Sequence, residues 1–290
     1  MDAVQLALVA NPKSGAGRSP DEIAARLREL GHEVTTFTLD EADAAAASGA
    51  DRVVVAGGDG SIGCVFAACA AAGSTMAVLP AGTANDFARA IGVPPDFDEA
   101  LTVAVDPDAR RLAVWGATID GRPFVNVASI GLAVNAAEEA APLKKQLGPV
   151  AYAIGAGIAA VRGKHISTRV TVDGAEQFCG DAWQVLIAST GTFGGIAQLP
   201  ESDPETAAIE AYVVEAGTRI GLLRRVWGMR RGGDRGGVRR FRGHRITVDV
   251  RPEPRWNVDG ELVELGDVTA HPLGPVRVLI PIDADGSATR

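Results

Sequence analysis

Three short apolar runs in the first ninety residues each end in a polar, glycine-bearing loop that leads into a helix signal. Residues 5–10 stop at Asn11-Pro12-Lys13-Ser14-Gly15. Val53-Val54-Val55 leads into Gly57-Gly58-Asp59-Gly60-Ser61. Residues 76–79 lead into Pro80-Ala81-Gly82-Thr83-Ala84-Asn85-Asp86-Phe87. The helix signals between them are explicit. Ser19-Pro20-Asp21-Glu22 supplies an N-cap, a proline at the first helical position and a glutamate three residues after the cap. Ile23, Leu27 and Leu30 then repeat at helical spacing until Gly31. Residues 32–39 read as another strand and residues 44–47 as a helix-favouring alanine run. A helix is expected through Ala72 and a further one from near Asn85. Strand, loop and helix in repeated succession predict a parallel sheet with helices on its faces.

The texture changes from about Arg111. Residues 112–119 alternate, Asp120-Gly121 is a hairpin turn signal, and residues 123–128 read as the returning strand. Residues 169–172, the turn Asp173-Gly174 and residues 183–188 repeat the pattern, and residues 209–214, 246–250 and 276–280 are also strand-like. Helical stretches are expected near residues 135–146 and 150–161. The second half is therefore predicted to be mostly antiparallel β.

Several function classes fall away on composition. With 290 residues, 47% hydrophobic and 22% charged, the chain can bury a sizeable core and is not a disordered one. Its longest uncharged stretch, residues 61–85, is alanine-rich and broken by Gly73-Ser74-Thr75 and Pro80, unlike a spanning helix. Val4 opens an apolar segment with no basic region before it, so no signal peptide is expected. Cys64, Cys69 and Cys179 form no Cys-x-x-Cys pair, which argues against a zinc knuckle and a disulfide framework. A cytoplasmic chain is expected. The net charge of −8 and a pI near 5.1 argue against a general nucleic-acid binder. That average hides ten arginines against one acid, Asp234, between Arg219 and Arg245.

Glycine lets backbone N–H groups approach a phosphate, and a helix start just behind the loop adds the positive end of its dipole. A single glycine-rich turn is often only a tight connection; three after three separate strands are harder to dismiss. Gly58-x-Gly60-x-x-Gly63 formally matches a dinucleotide fingerprint, but at the third strand, whereas that fingerprint belongs at the first. No Gly-x-x-x-x-Gly-Lys-Ser/Thr loop is present.

The ordered set Asn11-Pro12-x-Ser14-Gly15, Gly57-Gly58-Asp59-Gly60-Ser61 and Pro80-x-Gly82-Thr83-x-Asn85-Asp86-Phe87-Ala88-Arg89 resembles the motifs of the diacylglycerol kinase catalytic family. The resemblance continues through residues 124–131 (Phe-Val-Asn-Val-Ala-Ser-Ile-Gly), Leu143-Lys144-Lys145 and Ala151-Tyr152 to Asp259-Gly260-Glu261. It implies an NAD-kinase-like α/β nucleotide-binding domain over residues 1–112, to which the C-terminal strand can return. A mostly antiparallel β-sandwich would follow over residues 113–290, with the active site in the cleft between the two. It implies an ATP-dependent lipid kinase acting on a diacylglycerol-like hydroxyl to give a phosphatidic-acid-type product. A kinase of another lipid, such as a sphingoid base or glycerolipid headgroup, is the nearest alternative. A nucleotide-binding regulatory protein without catalysis is a third.

By the same resemblance ATP phosphates lie along Gly57, Gly58, Asp59, Gly60, Ser61 and Gly63. Asn11, Pro12, Lys13, Ser14, Gly15, Gly82, Thr83 and Asn85 close round the nucleotide, and Thr38 is a further contact or simply a strand-end threonine. Asp59 would orient Mg²⁺–phosphate or the acceptor hydroxyl, or else merely fix its turn. Phosphoryl transfer needs positioning, charge neutralisation and a base for the hydroxyl proton. Asp259 and Glu261 are the candidates for that base, against the simpler reading of an Asp-Gly hairpin turn.

Two departures stand out. The family's Thr-x-Asn-Glu after the third glycine is here Ser61-Ile62-Gly63-Cys64. The family segment that helps hold a structural Mg²⁺ reads Pro200-Glu201-Ser202-Asp203 and Glu205-Thr206-Ala207-Ala208-Ile209-Glu210, and Thr206 in place of an aspartate counts against that metal. The Mg²⁺ that accompanies the nucleotide is untouched by this argument. Within the basic strip, residues 220–229 interleave Leu and Trp with Arg, the character of a segment at an anionic membrane surface. A packed helix followed by a solvated Arg/Gly loop fits the same residues.

Overall fold

The computed structural model describes residues 3–11, 18–132, 165–193, 197–198, 203–218, 237–252 and 255–282. In chain order the elements are β1 (Gln5–Ala10), α1 (Pro20–Glu29), β2 (Glu33–Phe37), α2 (Ala42–Ala46), β3 (Arg52–Gly57), α3 (Asp59–Ala72) and β4 (Thr75–Pro80). Then come α4 (Asp86–Ala90), α5 (Phe97–Val105), β5 (Arg110–Ile119), β6 (Arg122–Phe124), β7 (Val127–Gly131), β8 (Ile166–Val172) and β9 (Ala175–Ala188). The remainder are β10 (Thr192–Phe193), β11 (Ala197–Gln198), β12 (Ile209–Glu215), β13 (Val238–Gly243), β14 (Ile246–Arg251), β15 (Arg255–Val258), β16 (Glu261–Glu264) and β17 (Val268–Ile280). Two compact units result: Met1–Asn126 with Ser189–Ala207 and Pro272–Arg290, and Val127–Ala188 with Ala208–His271.

The first unit rests on parallel strands in the order β2-β1-β3-β4-β17. Leu6 to Val9 and Val53 to Val55 are at most 2% exposed. Strands covered on both faces need this uninterrupted apolar character rather than alternation. Helix α1 starts as its sequence dictates: the Ser19 hydroxyl accepts the Glu22 N–H, and the Glu22 carboxylate accepts the Ser19 N–H. It buries Ile23, Ala24 and Leu27. Phe66 of α3 meets Phe87 of α4 edge to face, ring centres 5.9 Å apart, within the same core.

Register decides where the loops leave this sheet. Val9 pairs with Phe37, Ala10 with Ala56 and Gly57 with Pro80, so β2, β1, β3 and β4 all end at one edge. Because β2 lies on one side of β1 and β3 on the other, chain order reverses between β1 and β3. Open α/β sheets bind ligands at such a switch point, beyond the carboxyl ends of the strands.

The second unit is antiparallel throughout. Its path is β16-β15-β7-β9-β8-β14-β17, with β12 pairing β9 and β13. The 14-residue β9 pairs with β8 along Ala175–Ala182 and with β7 and β12 beyond that, so one long strand serves two partner sets. Val268 to Ala270 of β17 pair with β14 here, while Arg277 and Val278 pair with β4 in the first unit. Asp120-Gly121, Asp173-Gly174 and Asp259-Gly260 all have positive φ at both residues, which a two-residue turn matched to strand twist requires. An α/β unit and an antiparallel β unit are the fold class expected from the sequence.

Three details differ from expectation. The returning strand over residues 123–128 is two strands: β6 pairs with β5, and after a break at Val125 and Asn126, β7 pairs with β9 and β15. The break frees the Asn126 side chain for tertiary hydrogen bonds. Helix α5, which no sequence signal above marked, is capped by Asp96, whose carboxylate accepts the Asp98 and Glu99 N–H groups. Strands β13, β15 and β16 were likewise not anticipated. The helices expected near residues 135–146 and 150–161 lie outside the described residues.

Candidate active site

The described parts of the three loops, Asn11 alone from the first, lie together at the carboxyl ends of β1, β3 and β4 in the first unit. From the first, Asn11 donates its side-chain amide to the Ser61 hydroxyl at 3.0 Å. From the third, the Ala81 N–H donates to the Gly57 carbonyl at 3.0 Å. Gly58 and Gly82 sit back to back: a methyl group on Gly82 would lie 2.5 Å from the Gly58 Cα, and one on Gly58 would lie 3.2 Å from the Gly82 Cα. A methyl on Gly57 would lie 2.7 Å from the Ser61 Cβ. These glycines are needed for close approach, not for an unusual φ.

Gly58 is the N-cap of α3 and brings no side chain to occupy the first-turn N–H groups. The positive end of a 14-residue helix therefore backs an all-glycine approach, with Gly60 exposed beside it. The third loop folds on itself: the Gly82 N–H donates to the Asn85 side-chain oxygen at 2.8 Å, and the Asn85 amide returns to the Gly82 carbonyl at 3.1 Å. Asn85 adopts φ +51°, which asparagine tolerates through such local bonds. Arg89 locks the loop further, pairing with Asp86 at 3.1 Å and donating to the Ala84 carbonyl at 2.8 Å.

Asp59 binds the two glycine loops together. One carboxylate oxygen accepts the Phe87 N–H and the Asn126 side-chain amide, each at 2.9 Å; the other accepts the Asp86 N–H at 3.2 Å. Asn126 and its partner Thr190, joined at 2.9 Å, were not among the expected site residues. The signal for Asn126 was available: one amide inside the apolar run Phe124-Val125-Asn126-Val127-Ala128. Nothing comparable marks Thr190.

The other expected residues fall as follows. Thr83 is exposed at the tip of the third loop, and Gly63 is buried in the body of α3. Thr38 lies at the same strand edge, but its N–H and hydroxyl both donate to Glu41, a local capping pair. Pro12, Lys13, Ser14 and Gly15 lie outside the described residues. In the second unit the Asp259 carboxylate accepts the Val127 N–H at 3.0 Å while the Asp259 N–H donates to the Val127 carbonyl, so Asp259 pins its own turn. Glu261 is exposed at the start of β16.

Of the residues 200–210 that the resemblance aligns with a structural Mg²⁺ site, those described have other partners. The Thr206 hydroxyl donates to the Asp203 carbonyl, and the buried Glu210 carboxylate accepts the Tyr212 hydroxyl at 2.5 Å and pairs with Arg240. Among the described residues no group of three or more His, Cys, Asp or Glu side chains is placed to hold a metal ion. Most of the basic strip, residues 219–236, lies outside the described residues, while Arg239 and Arg240 on β13 pair with Glu215 and Glu210 of β12. Among the described residues no helix is long and apolar enough to cross a membrane.

Two family descriptions cover almost the whole chain. Residues 5–116 match the diacylglycerol kinase catalytic domain, and residues 126–278 match the YegS C-terminal NAD kinase beta sandwich-like domain. The chain belongs to the diacylglycerol kinase catalytic family. Among curated relatives, a probable lipid kinase YegS-like of Chromohalobacter salexigens is 33% identical over 159 residues, 51% of this chain and 50% of the relative. The chain thus spans half the length of that relative. A diacylglycerol kinase of Staphylococcus saprophyticus is 26% identical over 222 residues, 72% of each chain. Among solved structures, a putative diacylglycerol kinase from Bacillus anthracis superposes with a TM-score of 0.77 at 20% identity, covering 97% of this chain and 98% of that one. An NAD kinase from Archaeoglobus fulgidus in complex with ATP gives a TM-score of 0.52 at 16% identity, covering 97% and 95%. These two structural likenesses speak for the shared NAD-kinase-like fold. The family is one of kinases acting on lipids.

Proposed function

We propose that this protein is an ATP-dependent lipid kinase that phosphorylates the hydroxyl of a diacylglycerol-like substrate to give a phosphatidic-acid-type product. The observation that carries the reading is the apposition of Gly58 and Gly82, tied by Asp59, at the carboxyl ends of β3 and β4, next to the β1/β3 switch point. A surface stripped of side chains and backed by the N-terminus of α3 suits a polyphosphate. Phosphates would lie along Gly57, Gly58, Gly60 and Ser61, with Mg²⁺ entering on the nucleotide. Asp59, whose oxygens already accept three protein N–H groups, keeps the loops at the spacing the phosphates need.

The acceptor hydroxyl must lose a proton as it attacks the γ-phosphate, with ADP leaving in line. We assign that proton to Glu261, which is exposed, and the holding of the turn to Asp259, which is fastened to Val127. An interfacial substrate also gives the arginines of residues 219–236 a purpose, since each basic residue near an anionic surface contributes about 1 kcal/mol. Liposome co-sedimentation should therefore rise with anionic lipid content; no dependence on it would remove the membrane role.

Incubation with radiolabelled ATP and a lipid panel tests the whole reading. Label in phosphatidic acid is the expected result. Label in another lipid would reassign the substrate, and nucleotide binding without transfer would replace catalysis by a regulatory role.

A further inference from the structure

The bond to Asp59 from Asn126 is one link of a longer chain, and its far end lies on a residue to which no role has yet been given. The Thr190 hydroxyl meets the Asn126 side-chain oxygen at 2.9 Å, and the Asn126 amide meets Asp59 at 2.9 Å. Thr190 and Asn126 are each 2% exposed. The direction of the chain follows from charge. An ionised carboxylate has no proton to give, so the amide nitrogen of Asn126 faces Asp59 and its oxygen faces Thr190, which must donate. Buried hydrogen bonds in series polarise one another, and a broken link takes a donor from a desolvated oxygen. The neighbouring residue reinforces the grip: the Ser189 N–H donates to the Asn126 backbone carbonyl at 2.9 Å, and the Ser189 hydroxyl to the Trp115 carbonyl at 2.8 Å.

We propose that Thr190 is a positioning residue for nucleotide binding: it orients the Asn126 amide, which orients Asp59, which holds the second glycine loop against the N–H groups of Asp86 and Phe87. Thr190 touches no nucleotide itself. The inference rests on the nucleotide reading of the loops given above, and one of its two tests does not need that reading to be right. Residues 59, 126 and 190 are far apart in sequence, and only the folded first unit brings them into line.

The decisive variant is Thr190→Val, which keeps shape and removes the donor, with Thr190→Ser as the conservative rescue. Thr190→Val should raise the dissociation constant and KM for ATP about tenfold while kcat falls less than KM rises. Thr190→Ser should restore both to within about twofold. Amide hydrogen exchange gives the second readout: Asp86 and Phe87 should exchange faster in Thr190→Val than in wild type, with or without ATP. Thr190→Ala supplies the same two readouts if the valine variant does not fold. A variant that melts earlier yet binds ATP as wild type does, with rescued or unrescued stability, would reduce Thr190 to a packing residue. Unchanged exchange at Asp86 and Phe87 would overturn the relay even if wild type binds no ATP, an outcome that would separately defeat the nucleotide reading.

Discussion

Replacing Gly82 by alanine should separate the two glycine loops more severely than any other single methyl group placed in the first unit. Its Cβ would stand 2.5 Å from the Gly58 Cα and 2.8 Å from the Asn85 side-chain oxygen. Carbon atoms rest about 3.5–4.0 Å apart, so backbone must move by about 1 Å, and no flexible side chain can yield instead. Overpacking of this kind costs about 1–3 kcal/mol. Losing the Gly82 N–H bond to Asn85 adds about 1 kcal/mol, for a total of about 2–4 kcal/mol. If that displacement falls on the phosphate-facing geometry, ATP affinity should weaken about 30-fold to 1,000-fold. Gly58→Ala should be milder, since its Cβ meets Gly82 at 3.2 Å, and Gly266→Ala, with nothing within 4 Å, should be near neutral. Denaturant unfolding and calorimetric titration with ATP–Mg²⁺ measure both effects. A Gly82→Ala protein within 0.5 kcal/mol of wild type in stability, as surface substitutions usually are, and with unchanged ATP affinity would refute the close-approach argument.

Other expectations follow from the same structure. Glu261→Gln should cut turnover by about a hundredfold or more with ATP affinity within about twofold, because loss of a general base touches the chemical step. Asp259→Asn, which keeps an acceptor for the Val127 N–H, should retain both stability and most of its turnover; full turnover in Glu261→Gln would remove the base assignment. Burial, with Arg52 nearby, holds His32 below its ordinary value near 6.5, and its Nδ1 accepts the Val4 N–H at 3.3 Å as a neutral ring must. Stability from this group is therefore present above pH ~6.5 and lost as pH falls through the lower folded value. His32→Gln should flatten that decline in urea melts between pH 7 and 5, and an unaltered slope would show that His32 is not its source. Burial pushes the Cys69 thiol up to about 12, whereas Cys179 is exposed. A thiol reagent at pH 8 should thus label Cys179 quickly and Cys69 only on unfolding; rapid native labelling of Cys69 would contradict its burial.

Much of this architecture was readable from local chemistry. The cap at Ser19 and Glu22, the uninterrupted apolar strands and the paired Asp-Gly turns act within a few residues, so their signals sit in short windows. Helix α5 had a local signal too, the Asp96 cap, and Thr38-Leu39-Asp40-Glu41 is a capping pattern at a residue read as a strand end. What short windows cannot carry is the role of a side chain set by distant partners. Asn126 meets Asp59 across 67 positions and Thr190 across 64, and it sits at the break in the strand expected over residues 123–128. The loop motifs pointed to a polyphosphate, and the parallel register explains why the strand ends they follow share one edge. The back-to-back packing of Gly58 and Gly82 needed coordinates.

A crystal structure with a non-hydrolysable ATP analogue and Mg²⁺ is the sharpest test of the polyphosphate site. Phosphate oxygens should lie against the backbone N–H groups of Gly58, Gly60 and Ser61, at the carboxyl ends of β1 and β3. Phosphates bound elsewhere on the molecule, with those N–H groups facing only solvent, would contradict it.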